Sequence, residues 1–137
     1  MGACYYVKLK LSFRDKEKDK NNAIKAMQNY IKIHDGKGVD FTLEKWIKQG
    51  VTQNTFEELL RIFFGGWDSE WDMNSKWGRK WFKSYNGFDG SYGWEGIMMD
   101  IFEVISPFLV DGSELFIYPD NDYDHLLIKK GKCVMVH

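Results

Sequence analysis

The pattern of apolar and polar positions is clearest between Ser91 and Leu109, in the stretch SYGWEGIMMDIFEVISPFL. The large apolar residues recur there at intervals of three and four, the spacing of one face of an α-helix. They are Trp94, Ile97, Met98, Ile101, Phe102, Ile105 and Leu109. Ser91 can cap the start of this helix, and Asp111-Gly112 ends it. So wide an apolar stripe must be covered, and the best candidate is a sheet built from both ends of the chain.

The N-terminal stretch, residues 4–14 (CYYVKLKLSFR), alternates between apolar and polar positions. One side carries Tyr5, Val7, Leu9, Leu11 and Phe13, and the other carries Lys8, Lys10, Ser12 and Arg14. A period of two with one polar side predicts a strand that lies on the core with one face only.

The C-terminal part of the chain contains three strand-like runs, Glu114–Tyr118, Tyr123–Lys129 and Lys132–Val136. Residues 119–122 (PDND) and the pair Lys130-Gly131 separate these runs, and both are typical of tight turns. We therefore expect a C-terminal β-meander, with the N-terminal strand joining the same sheet.

The middle of the chain is expected to be mainly helical. The charged run at residues 15–22 is typical of a solvated turn, and residues 23–34 show a helical apolar face. Thr42 is expected to cap a short second helix, and Asn54 with Glu57 forms a plausible capping box for a third.

Residues 67–90 are rich in tryptophan and glycine. Trp77 and Trp81 are four apart, which favours a fourth helix from about Ser75 to Ser84. Gly78 weakens that helix by ~1 kcal/mol relative to alanine.

These elements predict one α+β domain over residues 1–137. Its antiparallel sheet has about four strands, the N-terminal strand plus the C-terminal β-meander, and packs against a layer of helices. Of the 137 residues 44% are hydrophobic, so a substantial core is available.

Composition indicates a cytoplasmic protein without a membrane span. No stretch approaches the roughly 18 consecutive apolar residues that a membrane-spanning helix needs, and no export signal follows Met1-Gly2. Cys4 and Cys133 are too few for a disulfide framework, and we expect two buried free thiols in a reducing cytosol, although the two could meet if the first and last strands were neighbours. The excess of lysine over arginine, together with abundant Asn, Ile, Tyr and Phe, suits an AT-rich bacterial or phage genome.

The run Asp120-Asn121-Asp122-Tyr123-Asp124 resembles the first half of a calcium-binding loop in its spacing of carboxylates. Such a loop needs glycine at its sixth position and glutamate at its twelfth, and these positions are His125 and Gly131 here. A polar hairpin turn therefore explains the run better, and we expect neither a metal site nor a cofactor.

His125 is the one histidine placed to act as a general acid or base, since His34 and His137 lie at a helix end and at the last position. Its neighbour Asp124 does not naturally hydrogen-bond to it, because adjacent residues of a strand face opposite sides. No nucleophile elbow, HExxH motif or phosphate-binding glycine loop occurs. We therefore assign no catalytic residue and keep an enzyme that uses His125 with nearby carboxylates as an alternative.

The aromatic and charged residues are unevenly distributed along the chain. Residues 63–94 contain 11 of the 23 aromatic residues. Residues 1–50 carry 11 basic and 6 acidic side chains, whereas residues 84–137 carry 3 basic and 9 acidic ones. A surface on which most charges have the same sign can steer a partner of opposite charge. Exposed Trp and Tyr side chains often dominate the binding energy of protein interfaces.

We therefore expect a non-enzymatic binding protein that acts on a protein partner through an acidic and aromatic surface. A phage- or mobile-element-encoded inhibitor of a bacterial defence system, or a toxin-immunity protein, would have this size and charge. The two predicted contact patches are Asp68, Glu70, Trp71 and Asp72, and Asp120, Asp122 and Asp124. The alternative is a nucleic-acid or nucleotide binder that uses residues 76–83, where Trp77, Arg79, Lys80 and Trp81 interleave cations and rings.

Overall fold

The computed structural model of the chain describes residues 3–15, 17–65, 72–76, 79–90, 93–118 and 124–136. For residues 3, 4, 72–76, 79–80, 83–90 and 124 the description covers the backbone. The helices are α1 (Lys18–His34), α2 (Leu43–Lys48), α3 (Phe56–Phe64) and α4 (Trp94–Ile105). The strands are β1 (Ala3–Leu11), β2 (Asp72–Lys76), β3 (Arg79–Gly90), β4 (Glu114–Tyr118), β5 (Asp124–Lys129) and β6 (Lys132–Val136).

The strands form one antiparallel sheet in the order β2-β3-β1-β4-β5-β6. β1 lies in the middle, so that Leu9 pairs with Ser84 of β3 on one side and with Leu115 of β4 on the other. The helices pack against this sheet, and the predicted α+β class is confirmed. The N-terminal strand and the C-terminal meander also share the sheet as expected, but among the described residues the sheet has six strands instead of about four, because β2 and β3 add to it.

The predicted helix from Ser75 to Ser84 is wrong, because residues 75–76 belong to β2 and residues 79–84 belong to β3. Residues four apart lie on one face of a helix, but they also lie on one face of a strand, because side chains alternate between the two faces with a period of two. Phe82 lies in the core, where its ring contacts that of Phe56 with centroids 5.5 Å apart.

Helix α4 lies against the sheet as its apolar stripe requires. Its buried residues are Trp94, Met98, Ile101, Phe102 and Ile105. Two hydrogen bonds fix its first turn. The Trp94 indole donates to the Phe63 carbonyl at 2.8 Å, and the Tyr5 hydroxyl of β1 donates to the Glu95 carboxylate at 2.5 Å. The proposed cap, Ser91, lies outside the described residues.

The helix starts differ from the sequence prediction because short-range hydrogen bonds decide them. Helix α1 begins at Lys18, inside the charged run, where the Asp15 carboxylate accepts from the Lys18 amide at 3.0 Å. Thr42 has a positive φ of 49° and makes no side-chain cap bond. The third helix is capped by Thr55, not Asn54: the Thr55 hydroxyl accepts from the Glu58 amide at 3.2 Å and donates to its carboxylate at 2.8 Å.

The strand order separates the two cysteines. Cys4 lies on β1 and Cys133 on β6, with β4 and β5 between these strands. Three strand spacings amount to about 14 Å, whereas a disulfide needs Cα atoms within about 7 Å. A Cys4–Cys133 disulfide is therefore excluded.

Candidate functional site on the open face of the sheet

The two faces of the sheet have different surroundings. On β1, Tyr5, Val7, Leu9 and Leu11 are buried beneath the helices, whereas Tyr6 and Lys8 are exposed and Lys10 is half-buried. No helix within the described ranges covers this second side, which we call the open face. Its described side chains on β1, β3 and β4 are Tyr6, Lys8, Lys10, Trp81, Glu114, Phe116 and Tyr118. Strands β5 and β6 add His125, Leu127, Lys129, Lys132, Val134 and Val136.

Two lysines of the open face rest against aromatic rings. The Lys10 ammonium lies 4.6 Å from the centroid of the Trp81 ring, and the Lys8 ammonium lies 5.7 Å from that of Phe116. The second contact follows from the register, since Lys8 and Phe116 are directly paired between β1 and β4. Such cation–ring contacts hold a positive charge beside an apolar surface. The open face therefore offers charge and flat rings at the same place.

A group of rings on β4 and β5 continues this surface. Phe116 pairs with His125 across the two strands, and their rings stack at a centroid distance of 3.6 Å and an angle of 16°. Phe116 and Tyr118 follow each other along β4 with nearly parallel rings, 6.0 Å apart. Tyr6, which is 51% exposed, pairs with Tyr118 from β1. The rings thus form a row of aromatic surface across three strands.

His125 has a carboxylate partner that the sequence analysis missed. Its Nε2 atom lies 3.1 Å from Oε2 of Glu114, which is diagonal to it on β4. This contact fixes the orientation of the imidazole, which in turn packs on Phe116. A histidine beside a carboxylate is the residue combination of many acid–base pairs, and the structural effect of this contact is to hold a flat ring in place.

Most described carboxylates of the C-terminal half accept hydrogen bonds from other residues of the protein, although Asp100 and Asp111 themselves are exposed. Asp100 accepts from the Tyr30 hydroxyl at 3.1 Å, and Asp111 accepts from the Lys130 and Gly131 amides at 2.9 Å. Glu95 accepts from Tyr5.

Burial raises the pKa of Tyr30 to about 12, with a further contribution from the Asp100 charge. Burial likewise raises the pKa of Tyr5 to about 12, with a further contribution from its bond to Glu95.

The predicted acidic patches fall mainly outside the described residues. These are Asp68, Glu70, Trp71, Asp120 and Asp122. Asp72 begins β2 and pairs with Lys83, while Asp124 begins β5 and pairs with Ile117. The two patches therefore remain predictions.

The aromatic and basic segment at residues 76–83 is described in part. Trp77 lies outside the described residues, and Arg79 and Lys80 are the first two positions of β3. Trp81 lies on the open face, where its ring contacts the Lys10 ammonium. The ring also lies beside Gly112, since a Cβ atom added at this glycine would be 3.7 Å from it. The segment thus contributes one described ring to the open face.

Glu114, Phe116 and Tyr118 are site residues that the sequence analysis did not select. A signal for them exists, since ELFIY alternates and places these three residues opposite the buried Leu115 and Ile117. Two neighbouring aromatic residues on the more exposed side of a strand form a contiguous apolar patch, and such patches are the feature that distinguishes a candidate surface.

Comparison with known proteins adds no assignment: no protein-family model, curated protein or solved structure matches the chain. Within the described part of the chain, no helix has both the length and the apolar character that crossing a membrane requires. The same residues contain no group of three or more His, Cys, Asp or Glu side chains that could hold a metal ion.

Proposed function

We propose that the protein binds single-stranded nucleic acid on the open face of its sheet. The observation that supports this most strongly is the pair of lysines, Lys8 and Lys10, lying against the rings of Phe116 and Trp81. Proteins that bind single strands combine cations that follow the phosphates with rings on which the bases stack. Both groups occur here on neighbouring strands of one sheet.

The geometry favours a single strand over a duplex. Rings that lie on a sheet can stack only on bases that are unpaired and turned outward, whereas a duplex presents its phosphates and keeps its bases stacked inside. The row formed by Tyr6, Tyr118, Phe116 and His125 crosses three strands. Phe116 and His125 cover one ring face of each other, so a base would stack on the outer side of this row. Lys8 and Lys10, two positions apart on β1, supply charge along the same surface.

The distribution of charge supports an anionic ligand on this face. Glu114 is the one acidic side chain described there, and it already contacts His125. By register, Lys83 of β3 lies opposite Lys10, while Glu114 lies on the other side of Lys10 and Asp72 of β2 lies opposite Lys83. Of Lys8, Lys10 and Lys83, only Lys8 therefore has no acidic residue directly opposite it. The net charge of −1 for the whole chain does not oppose this proposal, because a ligand on the open face responds to the nearby charges within about 10 Å.

The protein-binding role predicted from the acidic C-terminal half is the second candidate. Glu103, exposed on α4, is a described carboxylate that such a partner could meet. The nucleic-acid proposal takes precedence because Glu95, Asp100 and Asp111 are used in internal hydrogen bonds. The two acidic patches predicted for an inhibitor or immunity protein, Asp68, Glu70, Trp71 and Asp72, and Asp120, Asp122 and Asp124, lie mainly outside the described part of the chain.

The test is direct binding of fluorescently labelled oligonucleotides measured by anisotropy. We expect single-stranded oligo(dT) or oligo(rU) to bind at low salt, and a duplex of the same length to bind more weakly. Phe116→Leu removes a stacking ring, and its matched control is Phe108→Leu, which changes another half-buried ring on the helix side. A lost ring costs about 1–3 kcal/mol, or about 5- to 150-fold in affinity.

Two results would overturn the proposal. One is that the wild-type protein binds no single-stranded oligonucleotide at low salt. The other is that Phe116→Leu and Phe108→Leu weaken binding equally, which would place the contact elsewhere. Capture of a protein partner that depends on Asp68 or Asp120, with no oligonucleotide binding, would favour the second candidate instead.

A further inference from the structure

The last strand, β6, has the character of an interior strand although it lies at the edge of the sheet. Its sequence is KCVMV, so four consecutive residues after Lys132 are apolar and both faces of the strand carry them. Val134 is 37% exposed and Met135 is 49% exposed. Edge strands are usually protected by charges or proline, whereas continuous apolar runs are typical of strands with a neighbour on each side.

The outer edge of β6 also offers backbone hydrogen-bonding groups. The β5–β6 turn, Lys130-Gly131, has positive φ values of 52° and 75°, as a two-residue type I′ turn requires. In such a hairpin the closing pair, here Lys129 and Lys132, exchanges both hydrogen bonds, and every second pair does the same. The amides and carbonyls of Cys133 and Met135 therefore point away from β5. No strand among the described residues pairs with them.

We propose that this edge pairs with the same edge of a second copy of the chain, antiparallel and with a two-fold axis at Val134. In that register Val134 faces Val134 of the second copy, and Cys133 faces Met135. The outward groups of Cys133 and Met135 then form about four hydrogen bonds between the copies. Every apolar residue at the centre of the strand meets another apolar residue.

The charges of β6 explain why a second copy fits this edge. Lys132 is the strand's one basic residue, and the two-fold axis places it opposite Val136 of the other copy. The two Lys132 positions are then four residues apart along the strand, about 13 Å, which exceeds the screening length of about 8 Å at physiological salt. An unrelated strand would need apolar residues opposite Cys133, Val134 and Met135 and no positive charge opposite Lys132. A second copy of β6 meets both conditions because of the two-fold symmetry.

The helix side of β6 also carries apolar side chains. The register pairs Cys133 with the buried Ile128 and Met135 with the buried Leu126, so Cys133 and Met135 lie on the helix side of the sheet. The short turn Ser106–Phe108, directly after α4, contacts β6. Pairing at β6 would therefore bring apolar groups together beneath the sheet as well as on its open side.

The symmetry has one consequence for the ligand surface, which rests on the proposed function. A two-fold axis between antiparallel strands is perpendicular to the sheet, so the open faces of both copies lie on the same side. The copies would form one continuous sheet with twice the binding surface. The dimer itself does not depend on nucleic-acid binding and is tested without it.

The experiment measures molar mass by size-exclusion chromatography with light scattering. The wild-type protein should have twice the 16.2 kDa mass of the chain. Val134→Lys and Val134→Glu should each be monomeric, because like charges would face each other at the two-fold axis. An equimolar mixture of the two variants should restore the dimer, because opposite charges then face each other.

Two further variants complete the test. Met135→Pro should also be monomeric, because it removes an outward amide but no bond to β5. Ile47→Lys, at a 60% exposed position of α2, is the control and should stay dimeric. Circular dichroism verifies that each variant is folded. A monomeric wild type overturns the proposal, as do dimeric and folded Val134→Lys and Val134→Glu proteins. A mixture of these two that remains monomeric also overturns it, because residue 134 would then not face itself.

Discussion

Removing the two lysines of the open face should weaken nucleic-acid binding and reduce its salt dependence. The change is the double substitution Lys8→Gln/Lys10→Gln, which keeps side chains of similar length and removes both charges. Lys8 is exposed and Lys10 half-buried, each beside a ring of the proposed stacking surface. Both ammonium groups are thus within reach of a phosphate next to a stacked base.

The size of the effect follows from counterion release. Each lysine–phosphate contact contributes about 0.7 to the slope of log K against log salt concentration for single strands. At 0.1 M salt this corresponds to about fivefold in affinity for each lysine and about 25-fold for both, and the difference vanishes near 1 M. The lost cation–ring contacts cost the fold about 0.5–1 kcal/mol each, so the variant should stay folded.

The assay is an anisotropy titration of a single-stranded oligonucleotide at several salt concentrations between about 50 and 200 mM. The matched control is Lys25→Gln/Lys32→Gln, which removes two exposed charges from α1 and keeps the same net charge as the test variant. The plot of log K against log salt concentration should become less steep by about 1.4 in the test variant, and its slope should stay unchanged in the control. Equal slopes in the wild type and the test variant would refute the reasoning, and so would equal losses in both variants.

Three predictions concern the stability of the fold. Thr55→Ala should lower the free energy of unfolding by about 1 kcal/mol because it removes the cap of α3, whereas Thr42→Ala, at a position without a cap bond, should have little effect in urea titrations. Phe102→Ala should cost about 3–5 kcal/mol in the same titrations, because the fully buried ring leaves a cavity. The free energy of unfolding should fall as the pH rises from 10 towards 12, because Tyr5 and Tyr30 have a pKa of about 12 in the folded protein and their hydroxyls lose the proton at lower pH in the unfolded chain. Absorbance titration of the wild type beside Tyr5→Phe and Tyr30→Phe, each of which lacks one of these groups, tests the two pKa values.

Periodicity was sufficient to predict the elements whose faces differ clearly. The three- and four-residue spacing of Met98, Ile101, Phe102 and Ile105 has one structural solution, and α4 buries that stripe as expected. The alternation on β1 likewise allowed its buried and exposed sides to be assigned. The turn residues at 130–131 defined the last hairpin, because both positions adopt positive φ values.

Periodicity could not decide the β2–β3 segment or reveal the open face. Aromatic residues four apart satisfy a helix and a strand alike, so Trp81 carried no information about which one forms. The candidate site depends on strand order, since Lys10 meets Trp81 only because β1 and β3 are neighbours. Contacts between residues so far apart in sequence are set by the assembled sheet and not by any local pattern.

The most direct test of the central claim, that the open face holds the ligand, is to map the site of contact by ultraviolet crosslinking. A single-stranded oligonucleotide containing a photoreactive pyrimidine is bound, irradiated and digested with the protein, and the crosslinked peptides are identified by mass spectrometry. We expect crosslinks at Trp81, Phe116, Tyr118 or Tyr6, suppressed by excess unlabelled oligonucleotide. Crosslinks confined to the helices, for example at Trp46 of α2, would contradict the account.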